Sequence, residues 1–200
     1  QPQSVQLSSF THGEVAPRTE SELVPEVSGR VIEMSDSLVS GGFFRMGDML
    51  LKVDPLDYEV ALEQSRAALA STESELVNAS KAYQRQLDLA EKQSTSESQR
   101  DDALNRMQLA QANLREARAR VSRAERDLAR TSIEAPFDGR VRSEQVDVGQ
   151  FVTRGAPIAS LYSTDIAEVR LPLPDEELAF LQLPLNGATI AGTSAPRAIL

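Results

Sequence analysis

Residues 139–158 read GRVRSEQVDVGQFVTRGAPI, and residues 29–50 read GRVIEMSDSLVSGGFFRMGDML. Both stretches open with Gly-Arg-Val and continue with apolar residues in corresponding places. Each also contains two glycines six residues apart: Gly41 and Gly47 in the first copy, Gly149 and Gly155 in the second. A repeat this short cannot bury its own apolar face. We therefore expect the two copies to pack on each other as one small β domain.

The repeated glycines are interpreted as structural turn glycines, at places where the chain needs a positive φ or has no room for a Cβ. No Lys-Ser or Lys-Thr pair follows any of them, which argues against a phosphate-binding loop. The set comprises Gly29, Gly41, Gly47, Gly139, Gly149 and Gly155.

A long helical hairpin is predicted between the two copies. Large residues recur every seven positions on each arm: Leu62, Leu69, Leu76 and Tyr83 on the first, Met107, Leu114, Val121 and Leu128 on the second. Mostly small residues, such as Ala103 and Ala110, alternate with them, as in the seam of a closely packed coiled coil. Two arms of about 35 residues give a rod roughly 50 Å long.

The ends of the hairpin arms are marked by capping residues. Asp54 is expected to cap the first helix, with Pro55 in its first turn. Ser94-Thr95-Ser96-Glu97 interrupts the heptads and is expected to form the turn and cap the second helix.

Composition excludes several classes of function. The net charge of −9 argues against a nucleic-acid partner, and the chain contains no cysteine and one histidine, His12. These counts leave no catalytic triad and no zinc site. We predict a non-enzymatic protein without cofactor or metal. The longest apolar runs are too short to span a membrane.

Strands are expected outside the repeat, at residues 4–15 and 167–171, with a short helix beginning near Pro174. They are interpreted as parts of a further β module that these 200 residues do not complete. Low aromatic content favours an elongated molecule over a compact one.

Leu87 and Leu89 lie outside the heptad seam close to the hairpin turn, near Arg85. Local packing around the turn is one explanation. The other is an exposed anchor for another helix end, to which an arginine could donate hydrogen bonds.

The segment Thr131-Ser-Ile-Glu-Ala-Pro-Phe-Asp-Gly-Arg-Val141, continuing into Gly149 and Gly155, resembles the periplasmic adaptor proteins (membrane fusion, HlyD-like). The resemblance covers roughly residues 20–180. It implies an α+β fold, in which a long antiparallel coiled-coil hairpin splits a lipoyl-like β-sandwich, with an incomplete β-barrel beside it. The membrane-proximal domain of the family would be missing.

The domain limits that follow are listed here in chain order. They are 1–20 for a barrel strand, 21–54 for the first lipoyl-like half, 55–130 for the hairpin with its turn near 94–97, 131–165 for the second half, and 166–200 for the partial barrel.

The resemblance also implies partners and site residues. Adaptors that engage a TolC-like outer-membrane channel carry an arginine, a leucine and a serine at the spacing of Arg85, Leu89 and Ser96, although Gln86 replaces the usual leucine. Leu89 would be an apolar knob, Arg85 a donor to the channel tip, and Ser96 a small residue allowing close approach. The hairpin length resembles the resistance-nodulation-division (RND) branch of efflux pumps. An inner-membrane RND transporter, self-association into a ring (a hexamer in the full assembly), and a periplasmic, inner-membrane-associated location are implied.

Other functions stay open. The adaptor could serve an ABC-type exporter or a type I secretion system. A lipoyl or biotinyl carrier is disfavoured because the junction of the halves holds the hairpin, and Lys52 lacks the carrier's flanking pattern. A coiled-coil scaffold would not need a split β domain.

Overall fold

The computed structural model describes residues 11–92 and 96–172 of the chain. The first half has strands β1 (Glu14–Pro17), β2 (Glu20–Leu23), β3 (Gly29–Met34), β4 (Phe43–Phe44) and β5 (Met49–Val53). Helices α1 (Leu56–Glu91) and α2 (Glu97–Ala129) follow. The second half has β6 (Ser132–Glu134), β7 (Gly139–Glu144), β8 (Phe151–Val152), β9 (Ala159–Ser163) and β10 (Ala167–Arg170). Residues 20–163 belong to one compact unit, and the described residues on either side, 11–19 and 164–172, belong to a second.

The β part of residues 20–163 is a sandwich of two four-stranded sheets with the orders β2-β9-β7-β4 and β6-β5-β3-β8. Each copy of the sequence repeat lends its shortest strand to the sheet of the other copy. Strand β4 of the first copy pairs with β7 of the second, and β8 of the second pairs with β3 of the first. Neither sheet can therefore be completed without both copies.

The backbone hydrogen bonds at these crossings repeat in both halves. The Gly41 N–H donates to the Val141 carbonyl, and the Gly149 N–H donates to the Val31 carbonyl, both at 2.8 Å. Likewise the Gly47 N–H donates to Ala135 and the Gly155 N–H to Pro25, both at 2.9 Å. The two copies are thus related by an approximate two-fold arrangement.

Apolar residues of both copies fill the space between the sheets. Leu38, Leu50, Leu51 and Leu161 have no exposed surface. Each buried position of one copy has an apolar counterpart in the other, such as Val31 with Val141 and Leu50 with Ile158. The predicted fold class is confirmed, because two repeated halves separated by a helical hairpin share one core.

The glycines serve two different purposes. Gly41 and Gly149, together with Gly47 and Gly155, have φ between 81° and 91°, a range that favours glycine. Gly29 and Gly139 begin β3 and β7 and do not lie in turns, but they meet the second of the two expectations, a lack of room for a Cβ. There a Cβ would lie 2.5 Å from Cγ1 of Val53 at Gly29, and would collide with the Tyr162 carbonyl at Gly139. Close approach of the neighbouring strand, rather than a positive φ, requires these two glycines.

The two helices run antiparallel and meet along the predicted heptads. Leu62 and Leu114 are buried, and the remaining large seam residues are half-buried: Leu69, Leu76, Tyr83, Met107, Val121 and Leu128. The alternating alanines of α2 are buried or half-buried as well: Ala103, Ala110, Ala117 and Ala124.

The start of α1 differs from the expectation. Pro55, not Asp54, occupies the N-cap, with φ −83° and ψ −9°. Asp54 lies one residue earlier and still accepts a hydrogen bond from the Leu56 N–H at 3.1 Å. Because the ring of Pro55 holds φ near the helical value, Pro55 is the first residue with helical geometry. The side chain that caps the helix comes from the residue before it, Asp54.

The second unit contains an antiparallel pair, β1 with β10, in which Val15 faces Val169 across the ladder. Of the strand expected at 4–15, the described residues place only Glu14 and Val15 in β1. It runs from Glu14 to Pro17, residues 11–13 are not in a strand, and residues 1–10 lie outside the described residues, as does the expected helix start at 174–178. The bounds of β1 are set by its pairing with β10, which extends from Glu14 to Pro17. The apolar alternation in the sequence did not reveal these bounds. Strand β2 was not predicted because three of its four residues are exposed and polar.

Candidate docking surfaces of the hairpin

The far end of the hairpin carries the residues singled out from the sequence. Leu89 lies in the last turn of α1 and is 40% exposed, while Leu87 is half-buried. Arg85 is exposed one turn earlier on the same helix. Packing within the hairpin therefore covers much of the Leu87 side chain, whereas the Leu89 side chain stays available to a partner.

Arg85 differs from two arginines lower on the hairpin that bridge its helices. Arg66 and Arg118 reach across to the other helix, to Glu125 at 3.7 Å and Glu73 at 3.8 Å. Within residues 11–92 and 96–172, the Arg85 guanidinium makes no ion pair or hydrogen bond. Its five donors are available to an external acceptor.

Ser96 has a role in the fold itself. Its hydroxyl accepts a hydrogen bond from the Gln99 N–H, and the Gln99 side-chain oxygen accepts one from the Ser96 N–H, both at 3.3 Å. This capping box starts α2 at Glu97, as the sequence predicts. A substitution of Ser96 would disturb the helix end as well as any contact made there.

A second apolar stripe, which was not predicted, runs along α1 on the side opposite the seam. Leu56, Val60 and Val77 are 61%, 49% and 50% exposed. Ala67 and Ala70 lie between them at spacings of three, four or seven residues, and both are exposed. We call these five residues the outer stripe of α1. The sequence contained the signal, as a second heptad offset from the seam, but burial was needed to show that none of the described residues, 11–92 and 96–172, covers it.

The corresponding face of α2 carries small residues. Ala112, Ala119 and Ala129 are exposed and lie opposite the α2 seam; we call them the outer stripe of α2. The interhelical ion pairs fix the relative height of the two helices, and they place Ala70 and Ala119 at about the same level. The two outer stripes thus face away from each other on opposite edges of the hairpin.

The two helices carry opposite net charges in the lower half of the hairpin. Residues 57–75 of α1 carry five carboxylates and one arginine, a net charge of −4. At the same level, residues 115–130 at the end of α2 carry six arginines and three carboxylates, a net charge of +3. The α1 edge of one copy is therefore complementary to the α2 edge of another.

The described residues contain little that would support the alternative functions. Lys52 is half-buried within β5, where it pairs with Glu33 and Ser132, so it does not occupy an exposed turn as a carrier lysine must. Residues 11–92 and 96–172 contain no cluster of three or more metal-binding side chains. In the same part of the chain, no helix has the length and apolar character to cross a bilayer.

A family model now connects this geometry to known proteins. The model described as "RND MFP, barrel-sandwich hybrid domain" matches residues 19–163, which include the sandwich and the whole hairpin. The chain belongs to the RND membrane fusion protein family. The resemblance stated from the sequence is thereby confirmed.

Individual members of the RND membrane fusion family agree with this assignment. The multidrug resistance protein MdtA of Proteus mirabilis is 30% identical over 148 residues, covering 73% of this chain and 36% of the relative. MdtA of Photorhabdus laumondii is 27% identical over 168 residues, covering 83% and 41%. The chain thus spans well under half the length of these relatives.

Among solved structures, MacA from Actinobacillus actinomycetemcomitans superposes with a TM-score of 0.70 at 24% identity, covering 84% of this chain and 56% of that one. A putative efflux transporter from Bacteroides eggerthii gives 0.63 at 22% identity, covering 90% and 53%. At this identity the likeness establishes the fold alone, the split sandwich with its hairpin.

Proposed function

We propose that this chain is the central part of a non-enzymatic periplasmic adaptor. The full protein would link an inner-membrane RND transporter to a TolC-like outer-membrane channel for the efflux of small molecules. Membership of the RND membrane fusion family supports the transporter class, and relatives named as multidrug resistance proteins support a role in efflux. The driving chemistry would belong to the transporter.

The observation that carries the proposal is the exposed pair Arg85 and Leu89 at the free end of a hairpin rooted in the sandwich. An apolar side chain that is 40% exposed off the seam gains contact area only if a partner covers it. The neighbouring guanidinium can donate to carboxylates or to the free carbonyls of another helix end. In this proposal Leu89 is the apolar knob, Arg85 is the donor, and Ser96 holds the end of α2 in place.

The two outer stripes support self-association into a ring. When copies stand side by side, the Leu56, Val60 and Val77 edge of one copy can pack on the alanine edge of the next at equal height. The opposite net charges of the two helices favour this order over α1 against α1 or α2 against α2. Because the two edges differ, the contact is head-to-tail, and it forms a ring when the rotation between successive copies closes. We take that ring to be a hexamer, as the family resemblance implies.

The tip is tested by crosslinking in cells. These 200 residues contain no cysteine, so Leu89→Cys is the single reactive position within them, and any cysteine elsewhere in the full-length protein is first replaced by serine. We expect a specific crosslink to the periplasmic tip of a TolC-like channel, and we expect Arg85→Glu to abolish it. Leu89→Asp should abolish efflux complementation while leaving helicity and melting temperature unchanged, because Leu89 is outside the seam.

Leu109 provides the matched control, since it is another exposed leucine off the seam, 62% exposed on α2, and lies lower on the hairpin. Leu109→Cys should not reach the channel, and Leu109→Asp should retain efflux. An exported Leu89→Cys protein that gives no crosslink would overturn the proposed channel docking. A melting temperature lowered by Leu89→Asp would mean that Leu89 only packs within the hairpin.

The ring is tested by a cysteine pair. Ala70→Cys and Ala119→Cys lie on opposite edges of one hairpin at about the same level, so they can meet only between copies. We expect oxidation to produce a ladder of covalent oligomers in cells, which ends at a closed ring. Moving the second cysteine to Ala112, about two turns higher, should weaken the ladder strongly. Equal ladders from both pairs would contradict side-by-side packing at equal height.

A further inference from the structure

Besides their direct connections to β5 and β6, where the Asp54 N–H donates to the Arg30 carbonyl at 2.8 Å, both helices of the hairpin contact one short loop of the sandwich. Residues 24–28, between β2 and β3, receive a contact from each helix. The Tyr58 hydroxyl, in the first turn of α1, donates to the Ser28 carbonyl at 2.7 Å. The Arg130 guanidinium, at the end of α2, lies 2.7 Å from the Glu26 carboxylate.

This loop is a fixed part of the sandwich. Pro25 and Val27 are buried within it. The Pro25 carbonyl accepts from the Gly155 N–H at 2.9 Å, and the Ser28 hydroxyl accepts from the Arg154 N–H at 2.9 Å. The loop therefore cannot follow the hairpin without breaking contacts to the second copy of the repeat, and it provides a firm support for Tyr58 and Arg130.

Packing around the base does not fix the hairpin angle on its own. An open groove of about 460 Å³ lies beside the end of α2, between Arg126, Ala129 and the strand residues Ile133 and Glu134. Unfilled space on this side leaves room for the hairpin to tilt.

Comparison with the second copy of the repeat shows that the contacts to the hairpin are specific to this loop. The equivalent loop of the second copy is residues 134–138. The apolar positions agree, Pro25 with Ala135 and Val27 with Phe137, but Glu26 is matched by Pro136 and Ser28 by Asp138. Asp138 instead accepts the N–H of Met46 at 2.7 Å, within the sandwich. The two copies thus share what builds the core and differ at the residues that face the hairpin.

We infer that residues 24–28, with Tyr58 and Arg130, form a clamp that sets the angle between the hairpin and the sandwich. Half-exposed ion pairs contribute little to folding. When the hairpin tilts on the sandwich, however, only a few contacts at its base change. Two weak contacts can therefore decide the angle between the hairpin and the sandwich. Because α1 is about 54 Å long at 1.5 Å per residue, a shift of about 1 Å at the clamp moves the tip by several Å. Tyr58, Arg130 and Glu26 are therefore positioning residues for whatever the tip binds.

The clamp is tested by measuring the hairpin angle in the isolated chain, so the result does not depend on the identity of the partner. Spin labels on Glu33→Cys in β3 and Asn78→Cys in α1 report the distance from sandwich to hairpin. Both positions are exposed, and no other cysteine competes. We expect Tyr58→Phe combined with Glu26→Gln to widen the distance distribution by about twofold, with intermediate widths for the single variants. The melting temperature should stay close to that of the parent.

The matched control is Glu20→Gln. Glu20 forms an ion pair with Arg142 at the same distance of 2.7 Å and similar exposure, but within the sandwich. It should leave the distribution unchanged. A salt titration of the parent chain needs no variant at all: screening the Glu26–Arg130 pair should broaden the distribution, and Glu26→Gln should remove that salt dependence. An unchanged distribution in the double variant, equal broadening by Glu20→Gln, or no effect of salt would overturn the clamp.

Discussion

The sandwich and the hairpin are built from similar apolar residues but bury them to different degrees. In the sandwich Leu38, Leu50, Leu51 and Leu161 are wholly enclosed. In the hairpin the most enclosed residues, Ala117, Leu62 and Leu114, keep 5–6% of their surface, and most of the seam is only half-buried. Two sheets enclose a layer from above and below, whereas two helices leave their common seam open to water on both sides.

This difference assigns separate tasks to the two regions. The sandwich, whose strands β4 and β8 are exchanged between the copies, holds the fully enclosed core and forms the base of the hairpin. The hairpin supplies reach, and its exposed outer stripes and tip leave apolar surface for other molecules to cover. Its orientation depends on a few contacts at the base. The following predictions put the contrast to experiment, starting with the largest expected effect.

Matched Leu→Ala substitutions should separate the two regions most clearly. Leu51→Ala empties a fully buried site in β5 and should cost about 3 kcal/mol of the free energy of unfolding. Leu69→Ala removes a half-buried side chain from the seam and should cost about 1 kcal/mol. Amide hydrogen exchange measures both, through the opening free energies of β9 and of α1.

The location of the effect is as informative as its size. Leu51→Ala should lower protection throughout the sandwich and also in the hairpin, which depends on it. Leu69→Ala should lower protection in α1 and α2 while β9 keeps its parental value. Equal losses in both regions from Leu69→Ala would show that the hairpin and the sandwich unfold as one unit.

Ser96→Ala should produce the smallest change. Loss of the capping box costs about 1 kcal/mol and should act on the first turns of α2 only. Exchange should accelerate near Gln99 and Arg100 and remain unchanged in the sandwich. Ser98→Ala, two residues further and outside the cap, is the control and should leave exchange at Gln99 unaltered. A similar acceleration in both variants would mean that the cap does not hold this helix end.

Much of the architecture followed from the sequence because it rests on local periodicity. The repeated Gly-Arg-Val and glycine spacing indicated one domain in two halves, and the seven-residue spacing indicated the hairpin. The heptad spacing predicted the hairpin correctly because a seam residue and its neighbours on the same helix are close in the chain. Ser96 was recognisable as a cap for the same reason, since its partner Gln99 is three residues away.

Other features escaped sequence reasoning because they depend on distant partners. Strand β2 has no apolar alternation, and it is a strand because its residues pair with β9, nearly 140 residues later. The bounds of β1 follow from β10 in the same way. For Gly29 and Gly139 the sequence left two reasons open, a positive φ or no room for a Cβ, and only the position of the neighbouring strand selects the second.

The sequence by itself determined the split β domain, the helical hairpin and its seam, because each is written as a short-range pattern of apolar and small residues. Only the tertiary structure decided that Leu89 is exposed while Leu87 is half-buried, and that each copy lends a strand to the other. It also decided that Tyr58 and Arg130 meet the loop at 24–28, contacts that join residues 30 or more positions apart. Such contacts leave no periodic signal, since they depend on where the packed sandwich places a backbone carbonyl and a carboxylate.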